Sequence, residues 1–193
     1  MKFPIAISLI LVIACAVPAL AQSAPQSAWA VGAGYNFVHT NAPPTGCGCF
    51  SMNGGLASVN RQLTPSFSLA GEFAGVNNAN VTGTGRSLTL LTYVAGPRYR
   101  YVPSRGRLTP FAQVLIGGVH ASGGLYAPSG SYSGTANAFA ASMGGGVDVS
   151  LNPRFAFRLV QAEYLLTLLP NSVNSRQNNV SISTGIVIHL GGR

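Results

Sequence analysis

The chain is short of charge, and above all of negative charge. Only Glu72, Asp148 and Glu163 are acidic, and Lys2 is the only lysine, so charged residues make up 7 % of the 193 residues. An ordinary soluble protein has about 25 %, and a water-facing surface needs roughly that much. A conventional soluble globule is therefore excluded. Beyond the N-terminus no run of about 20 apolar residues occurs, which excludes helical membrane spans there. With three His and three Cys, the chain also lacks the clustered ligands of a metal centre. The net charge of +8 would suit nucleic acid, but no Lys/Arg cluster lies on any helix and the chain carries an export signal. No nucleic acid, metal, cofactor or catalytic residue is expected.

The export signal is at the start. Lys2 precedes an apolar run from Phe3 to Ala14, and Ala19-Leu20-Ala21 supplies the small-x-small site. This is the layout of a secretory signal peptide. The expected organisation is a signal peptide over 1–21, a short Ser/Pro/Gln-rich linker over 22–26, and one domain over 27–193. A competing reading takes Val12-Ile13-Ala14-Cys15 as a lipoprotein box with Cys15 lipidated. Either way the protein enters an oxidising compartment.

What the chain has in quantity is glycine (24 residues) and apolar residues (47 %), arranged with period two. In 29–37 Trp29, Val31, Ala33, Tyr35 and Phe37 share one face, and Ala30, Gly32, Gly34 and Asn36 the other. Residues 139–151 repeat the pattern: Phe139, Met143, Val147 and Leu151 oppose Ser142, Gly144, Gly146 and Asp148. Alternation of this kind marks a strand with two unlike faces. Here it predicts a narrow polar interior and an apolar exterior. Such runs fall near 27–40, 54–64, 67–76, 87–102, 110–121, 137–151, 155–168 and 179–190. Each reaches the roughly 9–11 residues a tilted strand needs to cross a bilayer. The connections alternate too. Leu63-Thr-Pro-Ser66 and Leu151-Asn-Pro-Arg154 are tight Pro turns, and 101–108 is slightly longer. The stretches 41–53, 77–86, 122–136 and 169–178 are long and rich in Asn, Gly, Ser and Pro. The fold class that follows is all-β: an eight-stranded antiparallel up-and-down transmembrane β-barrel, preceded by a cleaved signal peptide.

In the ordered set 29–37, 63–73, 94–101, 107–118 and 183–190, the sequence resembles the small eight-stranded outer-membrane β-barrels, the family of the OmpA transmembrane domain, OmpX and the Ail-like adhesins. The likeness covers the whole mature chain. It implies outer-membrane localisation, a periplasmic N-terminus, extracellular long loops and a structural or adhesin-like surface role. The implied partners are outer-membrane lipids, the barrel assembly machinery and an unidentified surface ligand met through the long loops. Such barrels often end on an aromatic residue; this chain ends Leu190-Gly-Gly-Arg193.

Alternation also assigns the charges. Glu72, Arg98, Arg100, Asp148 and Glu163 fall on the small or polar faces, and Gln161 faces in with Glu163. A buried ion needs a partner, because an unpaired one costs several kcal/mol (order of magnitude). These five are expected to form a lumen network that plugs the barrel; a narrow pore is the alternative. Arg61, Arg105, Arg107, Arg154, Arg158 and Arg193 are expected at the periplasmic rim, with Arg86 and Arg176 outside. His120-Ala121-Ser122 raises a second alternative, a lipid A-modifying barrel enzyme. Nucleophilic serine needs a histidine base and an orienting acid, and Asp148 lies toward the other rim. In the loop 122–136, Tyr126 and Tyr132 are contact candidates of the amphipathic kind that serves paratopes. Cys47 and Cys49 are too far from His39, His120 and His189 to share a metal. They are read as a loop disulfide, either with each other or between molecules.

Overall fold

The structure, a computed structural model, describes residues 29–40, 49–81, 85–103, 107–123, 134–169 and 176–190. Eight strands run in chain order: β1 (Trp29–Thr40), β2 (Phe50–Gln62), β3 (Phe67–Asn78), β4 (Leu88–Arg100), β5 (Leu108–Gly123), β6 (Thr135–Ser150), β7 (Phe155–Thr167) and β8 (Gln177–Leu190). Every neighbour is antiparallel, and β8 pairs with β1, closing the barrel. We call the end bearing Trp29 and Leu190 the turn rim, and the opposite end the loop rim.

The tight turns are made by their own sequence. At the β2–β3 turn, Leu63 and Thr64 N–H donate to Phe67 O at 2.9 and 3.0 Å, while Thr64 Oγ1 accepts from Phe67 N–H. The β6–β7 turn repeats this. Leu151 and Asn152 N–H donate to Phe155 O, and Asn152 Oδ1 accepts from Arg154 and Phe155 N–H, both at 2.9 Å. A short polar side chain ahead of proline closes each turn, since it can accept from backbone just downstream.

The closing β1–β8 seam, like several other strand pairings, depends on glycine. Gly34 of β1 lies opposite Gly185 of β8. A Cβ on Gly185 would stand 2.3 Å from Ala33 O and 2.7 Å from Gly34 Cα, and one on Gly34 would stand 2.1 Å from Thr184 O. No side chain fits where the two backbones approach this closely.

The outer wall is apolar where a soluble protein would be polar. Tyr35, Phe73, Tyr93, Ile116, Phe139, Met143 and Ile186 are all exposed. Large exposed apolar side chains on all eight strands are the outward band of a membrane barrel. At the turn rim it ends in an aromatic girdle. Phe67 and Tyr99 meet edge to face at 5.1 Å, and the Arg61 guanidinium lies 5.3 Å from the Trp29 ring centroid.

The interior departs from the expected polar lumen, being layered instead. Toward the loop rim Val38, Phe50, Met52, Leu88, Leu90, Leu115, Val119 and Leu165 pack into an apolar core. The charged side chains, with Gln113 and Gln161, lie on the turn-rim side of it, while the buried amides Gln177 and Asn179 stand at the loop-rim level beside Thr40 and Thr167. The layer boundary falls on β5, where Leu115 and Gln113 are successive inward residues. Phe50 and Met52 also explain why β2 starts earlier than expected: their burial extends the strand back to residue 50. Leu115 is fully buried, so Leu115→Ala is expected to cost about 2–5 kcal/mol. A urea midpoint for the folded gel band, measured in detergent micelles, reads this directly; an unchanged midpoint would mean this layer is not packed.

Candidate functional site

The residues capable of chemistry gather in two places, the lower lumen and the outer wall near the loop rim.

In the lumen, Glu72 of β3 is the hub. Arg98 Nη2 of β4 donates to Glu72 Oε1 at 3.1 Å, and Arg98 Nε donates to Gln113 Oε1 of β5 at 2.6 Å. Gln113 Nε2 donates to Glu72 Oε1 at 3.0 Å and also to Glu163 Oε1 of β7. From the other side Gln161 Nε2 donates to both Glu72 oxygens, at 3.0 and 3.1 Å. Gln161 Oε1 in turn accepts from Arg158 Nη1 at 2.7 Å. Arg158 grips Asp148 of β6 through Nε at 2.8 Å and Nη2 at 3.2 Å, a bidentate pair. Five strands are thus tied by one continuous chain of hydrogen bonds.

The Phe111 ring lies against both guanidiniums, 4.4 Å from Arg98 Cζ and 4.7 Å from Arg158 Cζ. Cations over an aromatic face are attracted to it, so the ring favours both guanidiniums and offsets part of their mutual repulsion. Glycine makes the room. A Cβ on Gly146 would meet Phe111 Cζ at 2.8 Å, and one on Gly144 would meet Glu163 Cα at 2.7 Å.

Of the five residues expected in the lumen, Glu72, Arg98, Asp148 and Glu163 are joined in this chain. Arg100 also reaches into a turn. Its Nε donates to Pro65 O at 3.3 Å, in the β2–β3 turn. It lies at the end of β4, where the inward face reaches the rim. Arg158 is a correction. Expected at the rim, it is buried in the lumen, 3 % exposed. The cause is a bulge in β7. The register with β8 shifts between Arg158 and Gln161, and Leu159 and Val160 both point outward. One extra residue reverses the phase of all that follows, so Arg158 and Gln161 face the same way although three apart. Gln113 was also missed; a lone amide between inward Phe111 and Leu115 was its only signal. Cys47, Tyr126 and Tyr132 lie outside the described residues. Cys49 is half-buried at the foot of β2, one residue before the strand.

On the outer wall, polar side chains pair across each hairpin toward the loop rim. Asn77 Nδ2 donates to Thr89 Oγ1 at 2.8 Å, and His39 Nδ1 lies 3.1 Å from Ser51 Oγ. Tyr35 hydroxyl donates to Asn53 Oδ1, and Tyr164 hydroxyl to Asn178 Oδ1. His120 Nδ1 is 2.7 Å from Asn137 Oδ1. His120 and Ser122 share this outward face, but the group orienting the imidazole is an amide. Among the described residues no three His, Cys, Asp or Glu converge on a metal position.

The family profile described as the outer membrane protein beta-barrel domain matches residues 7–187. No curated protein matches the chain significantly. Among solved structures, Neisserial surface protein A is similar with a TM-score of 0.63 at 15 % identity, over 85 % of this chain and 98 % of that one. Ail, the attachment invasion locus protein of Yersinia pestis, is similar with a TM-score of 0.57 at 15 % identity, over 83 % and 96 %. The N-terminal β-barrel domain of Pseudomonas aeruginosa OprF gives 0.50 at 15 %, over 84 % and 97 %. At these identities the likeness speaks for the fold. The eight-stranded closed barrel, its apolar outer belt and the profile match agree, and the chain belongs to the outer membrane protein beta-barrel domain family, in contact with the lipids of the outer membrane.

Proposed function

We propose that this protein is a closed, non-catalytic barrel of the outer membrane that works through its surface, as a structural or adhesin-like element. Its termini lie on the periplasmic side and its long connections outside. It arrives by way of a cleaved signal peptide over 1–21 and is inserted by the barrel assembly machinery.

The observation that carries this is the filled interior. An eight-stranded barrel leaves room for little beyond side chains. Here an apolar core stands over a network of ions and amides, so a hydrated ion would have to break both. With the lumen occupied, the loop surface is what remains for partners, in keeping with where small barrels carry function. Ail has been solved with the heparin analogue sucrose octasulfate. For this chain a surface ligand, its chemistry unassigned, is met through the long loops, which carry Tyr126 and Tyr132 and have Arg86 and Arg176 on the same side. Cys47 and Cys49 then serve as a loop bridge.

Planar-bilayer recording tests the closed lumen. Pure protein is expected to give no steady single-channel steps. Reproducible steps that vanish when the protein is heat-unfolded would overturn the plug and favour a pore. Deletion of 124–133, scored by adhesion of whole cells, tests the loop role separately.

A further inference from the structure

The outer wall of β2–β6 carries two features that the proposed function does not use. The first is a groove of about 510 Å³ on the belt. Its floor is Ala57, Gly71 and Ala95, and Phe73, Tyr93 and Ile116 stand around it. Small residues on neighbouring strands leave the hollow, for Gly71 pairs with Ala95 and Ala57 with Phe73. Tyr93 lies over Gly118 of β5, where a Cβ would meet its ring at 2.7 Å, and this flattens the ring against the wall. The volume falls within the roughly 300–1,000 Å³ of small-molecule sites, and its lining is apolar.

The second feature stands on the same strands, nearer the loop rim. Asn77, Thr89, Ser122 and Thr135 occupy one cross-strand row, each opposite the next. His120 and Asn137 are opposite each other in the adjoining row. Phe73 and Asn77 are four residues apart on β3, about 13 Å along a strand. The Asn77–Thr89 and His120–Asn137 bonds use part of each group's capacity. Asn77 Oδ1, Asn137 Nδ2, His120 Nε2 and the hydroxyls of Ser122 and Thr135 retain donors and acceptors for an outside partner.

We propose that this face binds one lipid with a saccharide headgroup: an acyl chain fills the groove while sugar hydroxyls meet the polar row. Two arguments fix the chemistry. A partner at the belt is surrounded by hydrocarbon, so the groove takes an acyl chain. The row itself is uncharged and mixes donors with acceptors, which matches hydroxyls that do both. A phosphate headgroup would ask for the guanidinium or ammonium groups that make charge-assisted bonds, and Arg86 lies in the β3–β4 connection, outside the row. The assignment of this lipid to the outer leaflet rests on the orientation proposed above; the binding itself does not.

The test is native mass spectrometry of the full barrel, purified from membranes into an amine-oxide detergent that has no sugar. Glucosyl diacylglycerol and phosphatidylglycerol with identical acyl chains are added separately. The sugar lipid is expected to be retained about tenfold more, the scale of one or two hydrogen bonds. Ala95→Phe, which fills the groove, and Asn77→Ala combined with Thr89→Val, which strips the row, are each expected to lower its retention about tenfold. Val114→Phe, outward on β5 but outside the groove, is expected to leave it unchanged. Equal retention of the two lipids overturns the headgroup assignment, and an unaffected Ala95→Phe overturns the groove. Heat-dependent gel migration confirms that each variant is folded, and the wild-type lipid preference decides the matter if a variant is not. Protease access to the loops on whole cells reads orientation independently, so failure of that reading is distinguishable from failure of this one.

Discussion

Arg98→Ala is expected to cost about 3–5 kcal/mol, because it leaves the buried Glu72 carboxylate without its cation. Arg98 and Glu72 are 4 % and 6 % exposed, so water does not step in as it would at a surface pair, where the median worth is about 0–1 kcal/mol. The loss has a second part, since Gln113 Oε1 loses its 2.6 Å donor. Glu163→Gln is expected to behave differently. Within the linked group three carboxylates face two guanidiniums, and the two ion pairs are Arg98–Glu72 and Arg158–Asp148. Glu163 is held by the Gln113 amide, a bond that an uncharged carbonyl also accepts. Removing that third charge is expected to change stability by no more than about 1 kcal/mol, the net worth of an ordinary hydrogen bond. Urea titration of the folded gel band in micelles separates the two variants. Equal losses would mean that the Glu163 charge anchors the network as much as the Arg98–Glu72 pair does.

Gly185→Val is expected to be at least as damaging, about 4 kcal/mol or more, in the range reached only by severe defects. The new Cβ would lie 2.3 Å from Ala33 O and 2.7 Å from Gly34 Cα. Both are backbone, and no rotamer relieves the contact. Strands β1 and β8 must part there, and their pairing is what closes the ring. The folded, fast-migrating band should be lost or appear only in a small fraction. Gly55→Ala is the control. Its Cβ would meet only Gly34 O, at 3.7 Å, an ordinary contact, so a change within about 0.5 kcal/mol is expected. A Gly185→Val protein that closes normally would show that the seam can widen at low cost.

The strands were readable because each face obeys one rule over many residues. Trp29 to Phe37 alternates without a break, and Thr64-Pro65 and Asn152-Pro153 announce turns that use those side chains. Glu72, Arg98, Asp148 and Glu163 stand on unambiguous inward faces, and the structure has them there. Three things were not readable. The β7 bulge leaves no glycine or proline at Leu159 and Val160, so strict alternation sends Arg158 to the wrong side. The stretch from Leu88 to Leu91 has leucine on both faces, which hides the apolar layer inside. The third is partnership across the barrel. Gln161 meets Glu72 89 residues away, and the row of Asn77, Thr89, Ser122 and Thr135 exists only once the registers of four strands are known. Local pattern gives the face of a residue; which residues share a spot depends on closure.

The layering of the interior bears on how such a wall gets into a membrane. If the termini stay on the periplasmic side, the loop-rim half of every hairpin must pass through hydrocarbon first. The buried strand positions that travel farthest are uncharged: the apolar layer, from Val38 and Met52 to Leu90 and Val119, with Thr40, Thr167, Gln177 and Asn179 beside it. The linked ions, Glu72 and Arg98 with their partners, are strung along the half that remains near the starting side. The leading part of the barrel wall therefore brings no buried charge across the bilayer, and the ion pairs can form late, as the ring draws shut behind it.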